Sequence, residues 1–120
     1  MASLEDRYQA SVAIVQKLPN NGPLTTSNDQ KLAFYALFKQ ASLGNVTTDR
    51  PGIFSFIERK KWDAWKEKEG MSADDAKEQY IETLLATFDN IQGINIGEWL
   101  SGPNLDPTIK ENLALLGKVF

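Results

Sequence analysis

Histidine and cysteine are both missing from this 120-residue chain. Without cysteine there is no disulfide framework, no iron–sulfur cluster and no thiol nucleophile. Without histidine, the commonest general base and the commonest transition-metal ligand go together. Asp and Glu could still move protons, but the pattern places no two of them convincingly in one cleft. A strong charge of either sign is lacking too: 13 Lys and Arg against 16 Asp and Glu leave a net charge of −3. A field that weak draws in neither nucleic acid nor an anionic membrane, so an anionic ligand must be held by locally placed cations. No run approaches the roughly 18 apolar residues needed to span a bilayer. Residues Met1 to Arg7 carry acids where a secretory leader needs basic residues and then an apolar stretch. The expected address is the cytoplasm. Asn45-Val46-Thr47 fits the glycosylation pattern but reads as loop sequence.

What remains is the balance of one folded domain, 42% hydrophobic and 24% charged. Tyr8, Val12, Val15 and Leu18 mark one face of a first helix, from Leu4 to Leu18. Pro19 and Asn20-Asn21-Gly22-Pro23 end it. Ser27 followed by Gln30 is a capping-box pattern, and a helix should run from there to Leu43, with Leu32, Tyr35, Ala36 and Lys39 along one stripe. After the turn-rich Asp49-Arg50-Pro51-Gly52, a third helix is predicted from Ile53 or Phe54 to Glu69. Ser72 caps a fourth that reaches Thr87 or Phe88, with Ala76, Tyr80, Leu84 and Phe88 at steps of four. The apolar run from Ile91 to Gly97 is broken by glycine. Asp106-Pro107 then opens a short fifth helix through Ile109, Leu113, Leu116 and Phe120. No alternating β-branched run supports a sheet. The fold class is all-α, with a main domain over residues 1–88 and a C-terminal extension over 89–120, packed on the domain or on a partner.

Three segments stand out from a plain helical core. Tyr35, Phe38 and Lys39 share a helix face. Arg59-Lys60-Lys61 runs straight into Trp62 and Trp65. Tyr80 sits in an apolar stripe but carries a hydroxyl that wants a partner. Taken singly, such aromatics are usually core and such lysines usually solvated stems. Together they offer rings for a purine and compact charges for phosphates, the requirements of a nucleotide-like head. Composition and spacing do not say which one.

Lys61-Trp62-Asp63-Ala64-Trp65, then Gly70 and Ala76-Lys77-Glu78-Gln79-Tyr80-Ile81, resembles the signature of the acyl-CoA-binding protein family. Phe34-Tyr35-Ala36-Leu37-Phe38-Lys39-Gln40-Ala41 with Gly44, the connector Asp49-Arg50-Pro51-Gly52, and the first helix ending in Leu18-Pro19 match in the same order. The resemblance covers residues 4 to 88. It implies a four-helix, up-down-down-up bundle forming a shallow bowl, to which this chain adds a short C-terminal helical extension. The adenine and 3′-phosphate of the ligand would be held at one end, and the acyl chain would lie in an apolar groove. Carried over by position, Tyr35 and Lys39 are ligand contacts on the second helix, Lys61 grips a phosphate, and Tyr80 contributes from the fourth. Phe38 departs from the family's usual tyrosine, keeping a ring but losing a hydroxyl. Gln16 falls where the family often has lysine. Leu32 belongs to the groove, and Trp62 is mainly a packing residue that also approaches it.

The implied function is non-covalent binding of long-chain fatty acyl-CoA esters, as a carrier and pool former, with no cofactor. Enzymes that use acyl-CoA would be transient partners. An acyl transferase or thioesterase would need a second, much larger domain, so the expectation is a binding module and not an enzyme. The competing reading is a helical adaptor that meets a protein partner through the C-terminal extension.

Overall fold

Ser3 and Ser27 start their helices with the same device. Each hydroxyl accepts the N–H three residues on, and that residue's side chain bonds back to the serine N–H. Ser3 pairs in this way with Asp6 at the start of α1 (Leu4–Lys17), and Ser27 with Gln30 at the start of α2 (Asn28–Leu43). Ser72 accepts from the Asp75 N–H at 3.1 Å, opening α4 (Ala73–Asp89). The others are α3 (Phe56–Lys66), α5 (Ile96–Leu100) and α6 (Pro107–Leu115). The computed structural model describes residues 2–18, 27–89, 91, 95–103 and 105–118, and among these residues there are six helices and no strand. The fold is all-α, as expected. No helix among the described residues is long and apolar enough to cross a membrane.

The helix ends depart from the sequence pattern in instructive ways. α3 begins at Phe56, because the Ser55 N–H donates to the Gly52 carbonyl at 2.9 Å and keeps Ile53 and Phe54 in a turn. It ends at Lys66 instead of Glu69: Lys68 bonds to Trp65 and Glu69 to Lys66, three-residue steps that wind the chain out of the helix. α5 was not expected. Its start depends on Asn95, whose side chain accepts from the Glu98 N–H at 3.0 Å. α6 starts as predicted, with Asp106 as cap and Pro107 at the first position, but stops at Leu115. Phe120 lies outside the described residues.

The chain divides into two compact units, Thr26–Tyr80 and Met1–Thr25 with Ile81–Phe120. In Thr26–Tyr80, α2 packs against α3. Phe34, Ala36, Leu37, Trp65, Ala76 and Tyr80 are buried, and the rings of Phe34 and Tyr80 meet at 5.0 Å with a 55° tilt. The tryptophans of α3 tie down the connector before it: the Trp65 indole N–H donates to the Gly44 carbonyl at 2.8 Å and the Trp62 N–H to the Thr48 carbonyl at 2.9 Å. Arg50 adds a two-pronged bond to Asp63, at 2.9 and 2.8 Å. That bond, together with the attraction of its charge, holds the Asp63 carboxyl below its ordinary range. Buried Gln40 donates to the Asn45 side chain and to the Met71 carbonyl, each at 2.9 Å, and Asn45 also accepts from the Gly70 N–H at 2.8 Å. Gly44 and Gly70 flank this knot at φ of +79° and +90°, where a side chain would be strained.

In the other unit α1 and α5 both pack against α6. Ile14, Leu84, Ile109 and Leu113 are fully buried there, with Tyr8, Val12, Phe88 and Leu100 nearly so. On α1 the buried face centres on Ile14 and Ser11; Val15 and Leu18, which the periodicity singled out, are only half-buried. Lys17 donates to the Thr108 hydroxyl at 2.7 Å and lies 3.5 Å from Asp106, joining the end of α1 to the start of α6. The Thr108 hydroxyl and N–H both donate to Asp106 and, with Lys17, depress its carboxyl. Lys118 pairs with Asp89.

Candidate functional site

α2 carries apolar side chains on more than one face, so two of its faces compete for the core. Phe34, Leu37 and Gln40 win, with Ala36 beside them. Of the stripe read from the sequence, Ala36 is buried, while Leu32, Tyr35 and Lys39 are half-buried. Set against α3, that stripe makes a cleft of about 290 Å³, lined by Asn28, Asp29, Lys31, Leu32 and Tyr35 from α2 and by Ile57, Lys60 and Lys61 from α3. Three of these residues are cations and one is an anion. A second cleft of about 430 Å³ follows the same two helices, with Ala33, Ala36 and Ala64 on its walls, Asp63, Glu67 and Lys68 also lining it, and Asp29, Leu32 and Lys60 shared with the first.

Tyr35 is the centre of the arrangement. The Lys61 ammonium lies 5.4 Å from the centre of its ring and the Lys39 ammonium 5.7 Å. Lys39 is also 5.8 Å from the Trp65 ring. A π face attracts a cation without neutralising it, so both lysines keep N–H donors for an anion. Burial, and secondarily the charge of Glu58, raise the Tyr35 phenol above its ordinary value. It is therefore protonated at neutral pH and can donate. Lys61 also has the contact that helical spacing alone would give it, Glu58 at 3.9 Å. The Glu58 side chain is largely exposed and that of Lys61 partly so, so the pair yields readily to a stronger anion.

Of the residues singled out from the sequence, Leu32, Tyr35 and Lys61 line the first cleft, and Lys39 reaches Tyr35 from one turn further along α2. Phe38 stays 38% exposed on the same helix and does not line it. Tyr80 is only 3% exposed, with its ring against Phe34. Trp62 is half-buried and committed to Thr48. Gln16 is exposed on α1, in the other unit. Sequence reasoning passed over Lys31. The signal was there: Lys31, Tyr35 and Lys39 stand at successive steps of four, along one face of the helix.

Cations around an aromatic ring, beside apolar walls, suit a ligand with an anionic, planar head and a greasy tail, and comparison with known proteins points to the same chemistry. The sequence model of the acyl CoA binding protein family matches residues 5–84. Acyl-CoA-binding protein homolog 3 of Caenorhabditis elegans is 61% identical over 117 residues, spanning 97% of this chain and 99% of that protein. That likeness runs well past the family model, into the region of α5 and α6. The crystal structure of ACBP from Moniliophthora perniciosa superposes with a TM-score of 0.71 at 35% identity, covering 95% of this chain and 97% of that one. Oryza sativa Acyl-CoA-Binding Protein 2 gives 0.65 at 40% identity, over 72% and 92%. By sequence and by fold, this chain belongs to the acyl-CoA-binding protein family.

Proposed function

We propose that this chain binds long-chain fatty acyl-CoA non-covalently and serves as its carrier and pool former in the cytoplasm, handing it to enzymes without changing it. The observation that carries the reading is the Tyr35 ring with the ammonium groups of Lys39 and Lys61 at 5.7 and 5.4 Å from its centre, in the wall of a cleft that also contains Leu32. Coenzyme A needs both a stacking surface and local cations, since the whole chain is acidic. Tyr35, Lys39, Lys61 and Phe38 are the proposed head contacts. Tyr80 joins them by the family pattern, and Gln16 and Trp62 are secondary contacts. The acyl chain would follow Leu32, Ala33, Ala36 and Ala64, each buried methylene adding roughly 0.8 kcal/mol before ordering costs. Residues 1–88 form the proposed binding domain and 89–120 a structural extension. A chain with neither histidine nor cysteine suits a carrier better than a catalyst of thioester chemistry.

Calorimetry with free coenzyme A and with acyl-CoAs of graded length tests this. Affinity should climb with chain length and then level off where the apolar walls end. Equal affinity for free coenzyme A and the palmitoyl thioester would remove the groove. Native mass spectrometry of the incubated complex separates carrier from enzyme: an unchanged thioester mass fits the carrier, and its loss does not.

A further inference from the structure

Four large, exposed apolar side chains crowd the approach to α3. Ile53 is 66% exposed, Phe54 89%, Phe56 69% and Ile57 69%. The turn closed by Ser55 and Gly52 presents the first two, and the first turn of α3 the others. Isolated exposed apolar residues are ordinary, but four within five consecutive residues are not. Their surroundings say what they suit. Lys60 and Lys61 follow Phe56 and Ile57 at four-residue spacing, placing an ammonium one helical turn behind each apolar side chain. Residues 50–68 hold six cations and three anions, with Asp49 and Glu69 just outside, within a chain of net charge −3. Of those anions, Asp63 is occupied by Arg50 and Glu58 by Lys61.

We infer that this apex is a docking surface for the anionic headgroup face of a lipid bilayer, with Ile53 and Phe54 entering the interface and Lys60 and Lys61 meeting lipid phosphates and carboxylates. Apolar insertion and headgroup attraction are each weak, and each supplements the other, the combination that holds peripheral proteins on anionic membranes. A second copy of the chain fits less well. An isologous contact through this apex would bring Lys60 and Lys61 against their own equivalents. Because Ile57, Lys60 and Lys61 also line the first cleft, docking presents that cleft to the lipid surface. The inference does not depend on the acyl-CoA reading, and the vesicle arms of its test use no acyl-CoA.

The full-length protein is spun with sucrose-loaded vesicles of phosphatidylcholine and phosphatidylserine at about 3:1, and with phosphatidylcholine vesicles alone. It should pellet with the anionic vesicles, much less with the neutral ones, and less again as salt rises from about 0.1 to 0.5 M. Replacing both apex residues (Ile53→Ser with Phe54→Ser) should cut the bound fraction about five- to tenfold, and Lys60→Glu should weaken binding to anionic vesicles selectively. The urea midpoint and acyl-CoA affinity of the Ile53/Phe54 double variant should stay unchanged, since both side chains are solvated. No pelleting by the unaltered protein, or equal pelleting by the double variant, overturns the inference. So does a dimer in sedimentation that the double variant abolishes, which would assign the apex to a second copy.

Discussion

Lys61 has two modest partners in the free protein, and their weakness sets what its removal should do. The Glu58 contact at 3.9 Å is an exposed pair three residues apart, worth about 0.2–0.5 kcal/mol. The Tyr35 ring at 5.4 Å adds about 0.5–1 kcal/mol for a site this open. Lys61→Ala should therefore lower unfolding stability by no more than about 1.5 kcal/mol, measured as a urea midpoint. Binding should respond more strongly. If Lys61 grips the 3′-phosphate of coenzyme A, the lost charged hydrogen bond costs roughly 1.5–3 kcal/mol, or about 10- to 150-fold in Kd. Calorimetry with palmitoyl-CoA and with its 3′-dephospho form, on both proteins, closes a double-mutant cycle. The large loss should appear with the complete ligand and mostly vanish with the dephospho ligand. Equal losses with both would show that Lys61 does not read that phosphate. A stability loss well beyond the stated limit would mean that it chiefly supports Tyr35.

Phe38→Tyr should tighten acyl-CoA binding by about 0.5–1.5 kcal/mol if a hydroxyl there finds a partner; weaker binding in calorimetry would place Phe38 outside the ligand site. Leu113→Ala, at a fully buried position of α6, should cost about 2–5 kcal/mol in urea melts while the folded variant still binds acyl-CoA; a folded variant that no longer binds would make α6 part of the site. The pH dependence of stability should be flat between about pH 5 and 8, because the chain has no histidine. Asp63 and Asp106 are both depressed from 3.8, so their contributions are complete above that value and disappear as the pH falls below it, through their lower folded values. Asp63→Asn and Asp106→Asn should each flatten the acid limb; an unchanged limb in both would show that these carboxyls do not govern it.

How far the sequence could be read depended on how many answers each pattern allowed. The capping chemistry of Ser27 with Gln30 admits one helix start, and the structure has it there. Ala76, Tyr80, Leu84 and Phe88 form an unbroken apolar line along α4, and all four are buried. α2 offered no such contrast. With Leu32, Phe34, Tyr35, Leu37 and Phe38 around its circumference, periodicity could not decide which face meets the core, and the stripe containing Tyr35 remained at the cleft. Ile53 and Phe54 looked like the start of a helix because their exposure cannot be read from their hydrophobicity. α5 has only five residues, too few for a period to show, and its start rests on one asparagine. Lys31 was legible but overlooked: it lies one turn ahead of a tyrosine that drew attention to the residues after it.

The side-chain oxygen of Asn45 accepts from Gln40 and from the Gly70 N–H, while Gln40 also reaches the Met71 carbonyl. The connector after α2 and the turn after α3 thus share their hydrogen bonds and cannot loosen independently. In hydrogen–deuterium exchange the Gly70 amide, though carried by an exposed glycine, should be protected by the same opening free energy as the last turn of α2. Two surface segments some 25 residues apart in sequence, by the Asn45–Gly70 separation, would then behave as one cooperative unit.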